Sequence, residues 1–470
     1  MTPCRHFFVN IITKIHQCNK SNSKLFILKR KMSLLHDGLP LSGYQFSQLS
    51  KRNESSTSGT AQDGKQIITL NQLKKSLAYE MGVDHPYKPF LHKREDLQKY
   101  LPKTQEELPK RTMQDSIVEA IIPLSQDLGL QEKYTTFLGS VRTGRLVEDM
   151  DIFTVIVARK HIHNPKLPKD VNFPQTLVTV LVDRIEFSEY MPKPNKDIKI
   201  SGHVTWVSKS TIEVVVWLDQ FEDNHWQRIT RALFMLAARD PSNTYSTPVN
   251  AIEPANEEEK QILIRGDARK VRRLALDSSH ISKKVPSAEE QQLLHSIYVK
   301  TSDPNDVSMS KRILPPQSVW MSSTKISNAI LAQPEDRNLH NTVFGGFIMR
   351  HATELSWIAG YMFCRYRPRT RSMGDISFKH PIPINSLIQM HATVVYTKNN
   401  FIQTLVFAQV YNPLSGLTQT TNAFHFTLEA PDVVPQVLPQ TYYEAMLYID
   451  GKRHFQNLKE TQGGFFKSKL

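Results

Sequence analysis

The chain has little cysteine and no long apolar run, and each absence excludes a class of protein. Its 470 residues include three cysteines. Two of them, Cys4 and Cys18, lie in the segment 1–36, so Cys364 has no partner left for an intrachain disulfide in the rest of the chain. A disulfide-stapled secreted scaffold is excluded, and a reducing compartment fits better. No stretch approaches the ~18–20 consecutive apolar residues of a membrane helix, so we predict no integral membrane segment.

Acidic residues are absent from the first 36 positions, which carry seven Lys and Arg. These seven account for half of the formal net charge of +14, so the excess does not indicate a nucleic-acid partner. Basic residues mixed with apolar residues, Ser and Asn are typical of a mitochondrial transit peptide. We therefore predict a transit peptide over 1–36 and a location in the mitochondrial matrix. A disordered basic tail is the alternative.

Several catalytic motifs are missing as well. The sequence has no G-x-S-x-G elbow, no G-x-x-x-x-G-K-[ST] phosphate loop and no C-x-x-C pair. His161-x-His163 has metal-binding residue types, but no further cluster completes it at a typical spacing. We interpret this pair as a surface loop, and we predict no metal site.

The sequence does contain one α+β module twice. In each copy a helix precedes strands rich in β-branched and aromatic residues, which predicts an antiparallel meander. Ile185–Phe187 matches Ile376–Phe378 at an offset of 191, and Gly144 matches Gly346 at an offset of 202. The loop His161–Pro174, which is longer in the first module, accounts for the difference between these two offsets. The shared order of elements indicates a duplication.

We predict two long helices, each wrapped by its own curling sheet, with the sheets joined edge to edge so that an edge strand of each is covered. The helices would then lie antiparallel and line a shared cleft. The charged linker is interpreted as a solvated helix, with a nucleic-acid patch as the alternative. The predicted organisation is a transit peptide 1–36, an N-terminal extension 37–111, a first domain 112–250, a charged helical linker 251–311, a second domain 312–432 and a C-terminal tail 433–470.

Three acids on the first helix are separated by helix geometry. Asp149 follows Arg145 by four residues, which is the spacing of an exposed ion pair that adds little to stability. Glu148 lies between the polar and the apolar side of the helix. Asp151 lies on a small and apolar stripe. Its carboxylate should be partly desolvated, which raises its pKa and makes it a better proton acceptor near neutral pH. A structural Asp bonded to a neighbouring backbone is the alternative.

The segment His340–Gly346 enters the second helix. Gly345 and Gly346 at a helix start allow a ligand to approach the backbone, and exposed N–H groups there can bind an oxyanion. Asn341 adds an amide that can orient a water or a carbonyl. A plain helix-entry turn is the alternative.

The two modules complement each other. At the offset of 202, Asp151 corresponds to Thr353, and Asn341 corresponds to Gly139. The carboxylate thus survives in one module, and the loop with the amide and the two glycines survives in the other. Antiparallel helices would bring these halves together, which predicts one complete composite site and one depleted site.

At these residues the chain resembles the hotdog-fold acyl-coenzyme A thioesterases, in particular their mitochondrial group. The resemblance implies an α+β tandem hotdog fold joined as an intrachain pseudo-dimer. It implies hydrolysis of acyl-CoA to a free acid and coenzyme A without a metal or other cofactor. It also implies a homo-oligomer, a trimer of such pairs. The segments that carry it are Val141–Asp151, Pro254–Lys260, His340–Arg350 and Glu444–His454.

The resemblance also implies roles for the site residues. Asp151 would activate water or attack the thioester, Asn341 would position the water or the carbonyl, and the backbone around Gly345 and Gly346 would stabilise the oxyanion. Many members place the Asn directly before the x-x-G-G step, where this chain has Thr342. Thr342 is therefore a further catalytic candidate.

Coenzyme A needs positive partners for its phosphates. The predicted substrate-binding residues are Phe344, Gly345, Arg369, Arg371 and Lys379. A solvated basic loop is the alternative for the three cations. We further predict that the depleted site binds coenzyme A or a nucleotide and regulates the enzyme.

Two other functions remain open. A hotdog dehydratase acting on a hydroxyacyl thioester would need a catalytic His beside the acid, and the first helix has none before His161. The other alternative is a non-catalytic protein that binds acyl-CoA.

Overall fold

The computed structural model describes residues 68–80, 94–278, 285–308, 310–338, 342–378 and 380–461. The predicted transit peptide lies outside them. Their α-helices are α1 Leu70–Glu80, α2 Leu128–Tyr134, α3 Thr143–His161, α4 Glu257–Ser278, α5 Ala288–Thr301, α6 Gly345–Cys364 and α7 Tyr442–Thr461. Their β-strands are β1 Val118–Ile122, β2 Thr176–Val182, β3 Ile185–Phe187, β4 Ile198–Val207, β5 Thr211–Glu222, β6 His225–Arg239, β7 Ser318–Trp320, β8 Ile326–Leu331, β9 Arg369–Met373, β10 Ile376–Ser377, β11 Leu387–Lys398, β12 Phe401–Tyr411, β13 Thr418–Glu429 and β14 Gln436–Leu438. None of these helices combines the length and the apolar content that a membrane span requires.

The strands follow an alternation of buried and partly exposed residues. Every second residue is buried over 198–204 in β4 and over 388–394 in β11, which lies 190 positions later. The pairing of both strands with the next strand shifts at the same point, after Val204 and after Val394. The predicted antiparallel meander is confirmed in both modules, as β4-β5-β6 and as β11-β12-β13.

A hydroxyl group supports the shifted strand in each module. Ser116 Oγ accepts a hydrogen bond from Val204 N at 2.9 Å, and Thr324 Oγ1 accepts one from Val394 N at 3.1 Å. Because so local a feature recurs at matching positions, the two modules are copies of one fold.

Twelve of the described strands form one antiparallel sheet. Its main path is β1-β4-β5-β6-β3-β9-β13-β12-β11-β8, and β2 joins β6 to β10. The modules meet where β3 pairs with β9 and where β2 pairs with β10. The two sheets therefore join edge to edge, as predicted, and the strands at the junction gain backbone partners. A separate parallel pair is formed by β7 and β14.

The central helices α3 and α6 cross at two glycines. A Cβ added to Gly144 would lie 3.0 Å from the carbonyl oxygen of Arg350, and one added to Gly346 would lie 3.0 Å from Cα of Glu148. Only glycine permits backbones to approach this closely. Residue numbers rise along α3 as they fall along α6, so the helices are antiparallel. The tandem hotdog architecture implied by the resemblance is confirmed.

The charged helix α4 is largely exposed, as expected for a solvated linker helix, but one side of it contacts the first domain. It packs against β4. Arg273 Nε donates to Asp183 Oδ1 at 2.9 Å, and Arg269 Nε donates to Glu213 Oε2 at 3.2 Å. The Glu213 side chain is fully buried. These arginines form ion pairs with acids of the sheet, so one side of α4 is bound to the first domain.

Candidate active site

Asp151 lies in the middle of α3 with a buried side chain. Its Oδ1 accepts a hydrogen bond from Thr179 Oγ1 in β2 at 2.7 Å. Its Oδ2 accepts a hydrogen bond from the backbone N–H of Gly346 at 2.7 Å. Because Gly346 begins the helix of the second module, the carboxylate is held by both modules at once.

Burial raises the pKa of Asp151 to about 6. The hydrogen bonds from Thr179 and Gly346 act in the opposite direction, since they stabilise the charged form, and nearby Glu148 raises the pKa further. The upward shift is the one expected for a carboxylate on an apolar stripe. At neutral pH the group is mostly ionised, and it accepts a proton more readily than an ordinary Asp.

The other two acids of the helix are engaged with cations. The sequence interpretation of Asp149 as an exposed partner of Arg145 is wrong. Asp149 is fully buried, and it accepts hydrogen bonds from Lys74 Nζ at 2.6 Å and from the Tyr134 hydroxyl. Lys74 belongs to α1, whose packing on α3 no local spacing predicts.

Glu148 is the acid that pairs with Arg145, at 2.6 Å, and it also faces Arg350 at 3.3 Å. Among the described residues, Asp151 alone of the three acids has no cation within ion-pair distance. Its charge is therefore available for chemistry.

The described residues that flank the loop entering α6 pair with each other, as the two sides of a hairpin do. Arg337 and Val343 form an isolated antiparallel bridge. Asn338 Nδ2 donates to Thr342 Oγ1 at 2.6 Å, and Thr342 N donates to Asn338 Oδ1 at 3.2 Å. Thr342 thus orients the amide of Asn338, a residue that the sequence reasoning missed. The predicted Asn341 lies outside the described residues, and its role stays a prediction.

The first module has the same hairpin 202 residues earlier. Thr135 and Val141 form the matching bridge. Thr136 N donates to Ser140 O at 2.8 Å, as Asn338 N donates to Thr342 O at 2.7 Å. Thr136 therefore occupies the position of Asn338. The offset that places Thr353 opposite Asp151 also matches Asn338 with Thr136, and this was the signal in the sequence that could have identified Asn338.

The two glycines at the start of α6 lie directly beside the carboxylate. A Cβ on Gly345 would lie 3.4 Å from Asp151 Oδ2 and 3.1 Å from the Phe378 ring, so a larger residue here would press on that ring. The N–H of Gly346, predicted as an oxyanion donor, is bonded to Asp151 instead. Phe344 precedes the helix, and its N–H donates to Asp336 O at 3.2 Å.

A second cleft lies at the opposite end of the helix pair. It holds a cavity of about 680 Å³ between the entry loop of α3 and the middle of α6. Thr353 and Thr370 line this cavity, at the positions that match Asp151 and Thr179. Thr353 Oγ1 donates to Met349 O at 2.7 Å. The depleted cleft thus has hydroxyl groups where the first cleft has its carboxylate.

Two of the three cations predicted to hold coenzyme A are described by the structure, and both have partners away from Asp151. Arg369 lines the second cleft and donates to the carbonyl of Ser188. Arg371 lies 3.5 Å from Glu189 and 3.5 Å from Glu429, in ion pairs. Lys379 lies outside the described residues. Arg369 is therefore reassigned to the second cleft, because β9 runs along the opposite side of the module junction from Asp151.

His161 is not part of a surface loop, contrary to the sequence interpretation. It is buried, its Nε2 lies 2.9 Å from Asn250 O, and burial lowers its pKa to about 4. This contact holds the C-terminal end of α3 against Asn250.

A group of His425, Asp450 and His454 has metal-ligand residue types within one region. The two imidazole rings stack at 3.6 Å with planes 13° apart. A ring nitrogen lone pair lies in the plane of its ring, so nearly parallel rings at this separation cannot both aim at one ion. We interpret the group as a polar contact between α7 and β13.

The chain resembles named thioesterases over most of its length. It is 37% identical over 396 residues to mitochondrial acyl-coenzyme A thioesterase 9 of Mus musculus, which covers 83% of this chain and 89% of that protein. The human mitochondrial acyl-coenzyme A thioesterase 9 is 36% identical over 397 residues, with the same coverage. A chloroplastic acyl-coenzyme A thioesterase 2 of Humulus lupulus is 27% identical over 335 residues, with 69% of this chain and 74% of that protein covered.

Solved structures are more distant. An acyl-CoA hydrolase from Staphylococcus aureus is 22% identical, covers 31% of this chain and 92% of its own, and has a TM-score of 0.30. An acyl-ACP thioesterase from Bacteroides thetaiotaomicron is 11% identical, covers 68% of this chain and 100% of its own, and has a TM-score of 0.39. No family model matches the chain.

The fold, and a carboxylate held by both modules, define a tandem hotdog protein of the thioesterase class. With 37% identity across most of both sequences, the chain belongs to the family of mitochondrial acyl-coenzyme A thioesterases.

Proposed function

We propose that the protein hydrolyses acyl-CoA to a free acid and coenzyme A at the single composite cleft around Asp151. The observation that carries this proposal is the buried carboxylate of the first module, held by Thr179 and by the N–H of Gly346 in the second. The names of the curated relatives support the reaction type.

In the proposed reaction, water adds to the thioester carbonyl and its proton passes to Asp151. The C–S bond then breaks, and the thiolate of coenzyme A takes up a proton. We propose Asn338, whose amide is held by Thr342, as the residue that orients the water or the carbonyl. Direct attack by Asp151 on the thioester is the other route that a carboxylate permits. Neither route needs a metal or another cofactor.

The dehydratase alternative is less well supported. It needs an imidazole beside the acid, and α3 carries its one histidine at the C-terminal residue, His161. That residue is bonded to Asn250 O and lies nearly three helical turns from Asp151.

The mouse and human relatives are named mitochondrial, which agrees with the predicted transit peptide, and we propose the matrix as the compartment. We also propose a homo-oligomer, a trimer of these pseudo-dimers, on the basis of the family resemblance.

Replacing Asp151 with Asn tests the function directly. We expect Asp151→Asn to lower kcat by about 10²–10⁴-fold, because general base catalysis contributes roughly that factor. Binding of a thioether analogue of acyl-CoA, which cannot be hydrolysed, should persist, because the amide has nearly the same shape. Steady-state hydrolysis and isothermal titration calorimetry on the full chain measure the two effects.

The matched control is Asp170→Asn, the same change at an exposed loop position, which should leave kcat unchanged. Undiminished hydrolysis in Asp151→Asn would rule out this residue as the base. Binding without hydrolysis in the wild-type protein would favour the non-catalytic alternative.

A further inference from the structure

The second cleft keeps the frame of the first but lacks its carboxylate. Two backbone hydrogen bonds of its entry hairpin, Thr136 N to Ser140 O and Arg142 N to Tyr134 O, recur at the described residues of the catalytic cleft, and Gly144 matches Gly346. Thr353 and Thr370 line it at the matching wall positions. The nearest acid of α6 that lines the cavity, Glu354, is paired with Arg142. A ligand placed here as in the catalytic cleft would therefore meet no free base.

The cavity has the size and lining of a binding site. Its volume of about 680 Å³ falls within the range of roughly 300–1,000 Å³ for small-molecule sites. Apolar side chains dominate the wall, among them Trp357, Leu138 and Ile358. Phe137 at its rim is 86% exposed, which leaves a large aromatic ring without cover in the free protein.

Basic residues lie at the edge of this apolar space. Arg367 is exposed and lines the cavity, and Arg369 lines it two residues further on. An apolar pocket bordered by arginines suits a ligand with a fatty acyl group and a phosphorylated nucleotide, because guanidinium groups bind phosphates well.

We propose that the second cleft binds acyl-coenzyme A and holds it without hydrolysis. This inference rests on the proposed function, since it assigns to the second cleft the ligand of the first. It narrows the regulatory site predicted from the sequence to one ligand class. The bound thioester would touch α3 and α6, the two helices that hold Asp151 and Gly346, so a free-energy coupling between the clefts has a direct route.

Counting ligands per chain tests the proposal. The probe is a thioether analogue of a medium-chain acyl-CoA, titrated into the full chain by isothermal titration calorimetry. We expect two analogues per wild-type chain. The double variant Ile358→Glu with Arg367→Glu places negative charge at two exposed positions of the cavity, and it should bind one analogue while hydrolysis at the other cleft continues.

The matched control carries the same two changes on the exposed surface of α4, as Val271→Glu with Arg272→Glu, and it should still bind two analogues. One analogue per chain in a wild-type protein that hydrolyses acyl-CoA overturns the inference and leaves the proposed function intact. A wild-type protein that neither hydrolyses nor binds the substrate overturns the proposed function itself. Equal stoichiometry in the two double variants would also contradict the assignment of the second site to this cavity.

Discussion

Asp151 shares α3 with two other acids, and the partners of each acid decide which one can take a proton. Asp149 is neutralised by Lys74, and Glu148 is paired with Arg145 and Arg350. Asp151 has only neutral donors among its described partners, so burial dominates and raises its pKa. The apolar stripe in the sequence was enough to predict this shift, whereas the burial of Asp149 depended on a helix 75 residues away.

The pH dependence of hydrolysis follows from this pKa. The reaction needs ionised Asp151, so kcat/KM should fall as the pH drops through about 6, rather than near pH 4 as for an ordinary Asp. Thr179→Val removes a hydrogen bond that favours the charged form, so it should move this acidic limb to higher pH. A pH–rate profile of both proteins measures the shift. An unmoved limb in Thr179→Val would contradict the proposed control of the pKa.

Asn338 is the second residue whose role the structure brings forward. We expect Asn338→Ala to lower kcat by about 10²-fold with a smaller effect on KM, as for the loss of one oriented donor at a reacting carbonyl. The parallel variant Asn341→Ala tests the residue chosen from the sequence, and it should lose less. Exposed Asn305→Ala is the control. A larger loss in Asn341→Ala would return the role to that residue.

At the scale of elements, α4 shows that a run of charged residues does not reveal which of them pair with buried groups. The run Arg269–Arg273 reads as a solvated surface because the sequence does not show what faces it. In the fold, two of its arginines meet buried Glu213 and Asp183 on the sheet. Buried acids without counter-charges would be costly, so this helix is needed by the domain that it follows.

A stability measurement tests this role of α4. Arg273→Met keeps much of the side-chain length but leaves two buried acids short of a cation, so we expect a loss of about 3 kcal/mol in the free energy of unfolding. Arg272→Met changes an exposed neighbour on the same helix and should cost under about 0.5 kcal/mol. Urea unfolding of both variants gives the comparison. Equal effects would mean that the buried ion pairs add nothing to stability.

At the scale of the whole molecule, duplication has produced two clefts that carry different residues. One helix pair and one continuous sheet hold both clefts, and the packing at Gly144 and Gly346 repeats at each end. The residues placed on this frame differ: Asp151 and Asn338 stand at one end, and Thr353 and Thr136 stand at the other. The common backbone arrangement agrees with the proposed shared ligand, and the differing residues agree with the proposed hydrolysis at one end only.

The sequence by itself determined the strands, the long helices, the duplication and the presence of the carboxylate in only one of the two modules. These features depend on local periodicity and on comparing each copy with the other, and both are properties of the chain alone. Only the tertiary structure decided that Asp149 is buried, that Gly346 donates to Asp151, that Arg369 belongs to the second cleft and that arginines of α4 pair with buried acids of the sheet. Each of these outcomes depends on contacts between residues far apart in the chain, and residue spacing does not carry that information.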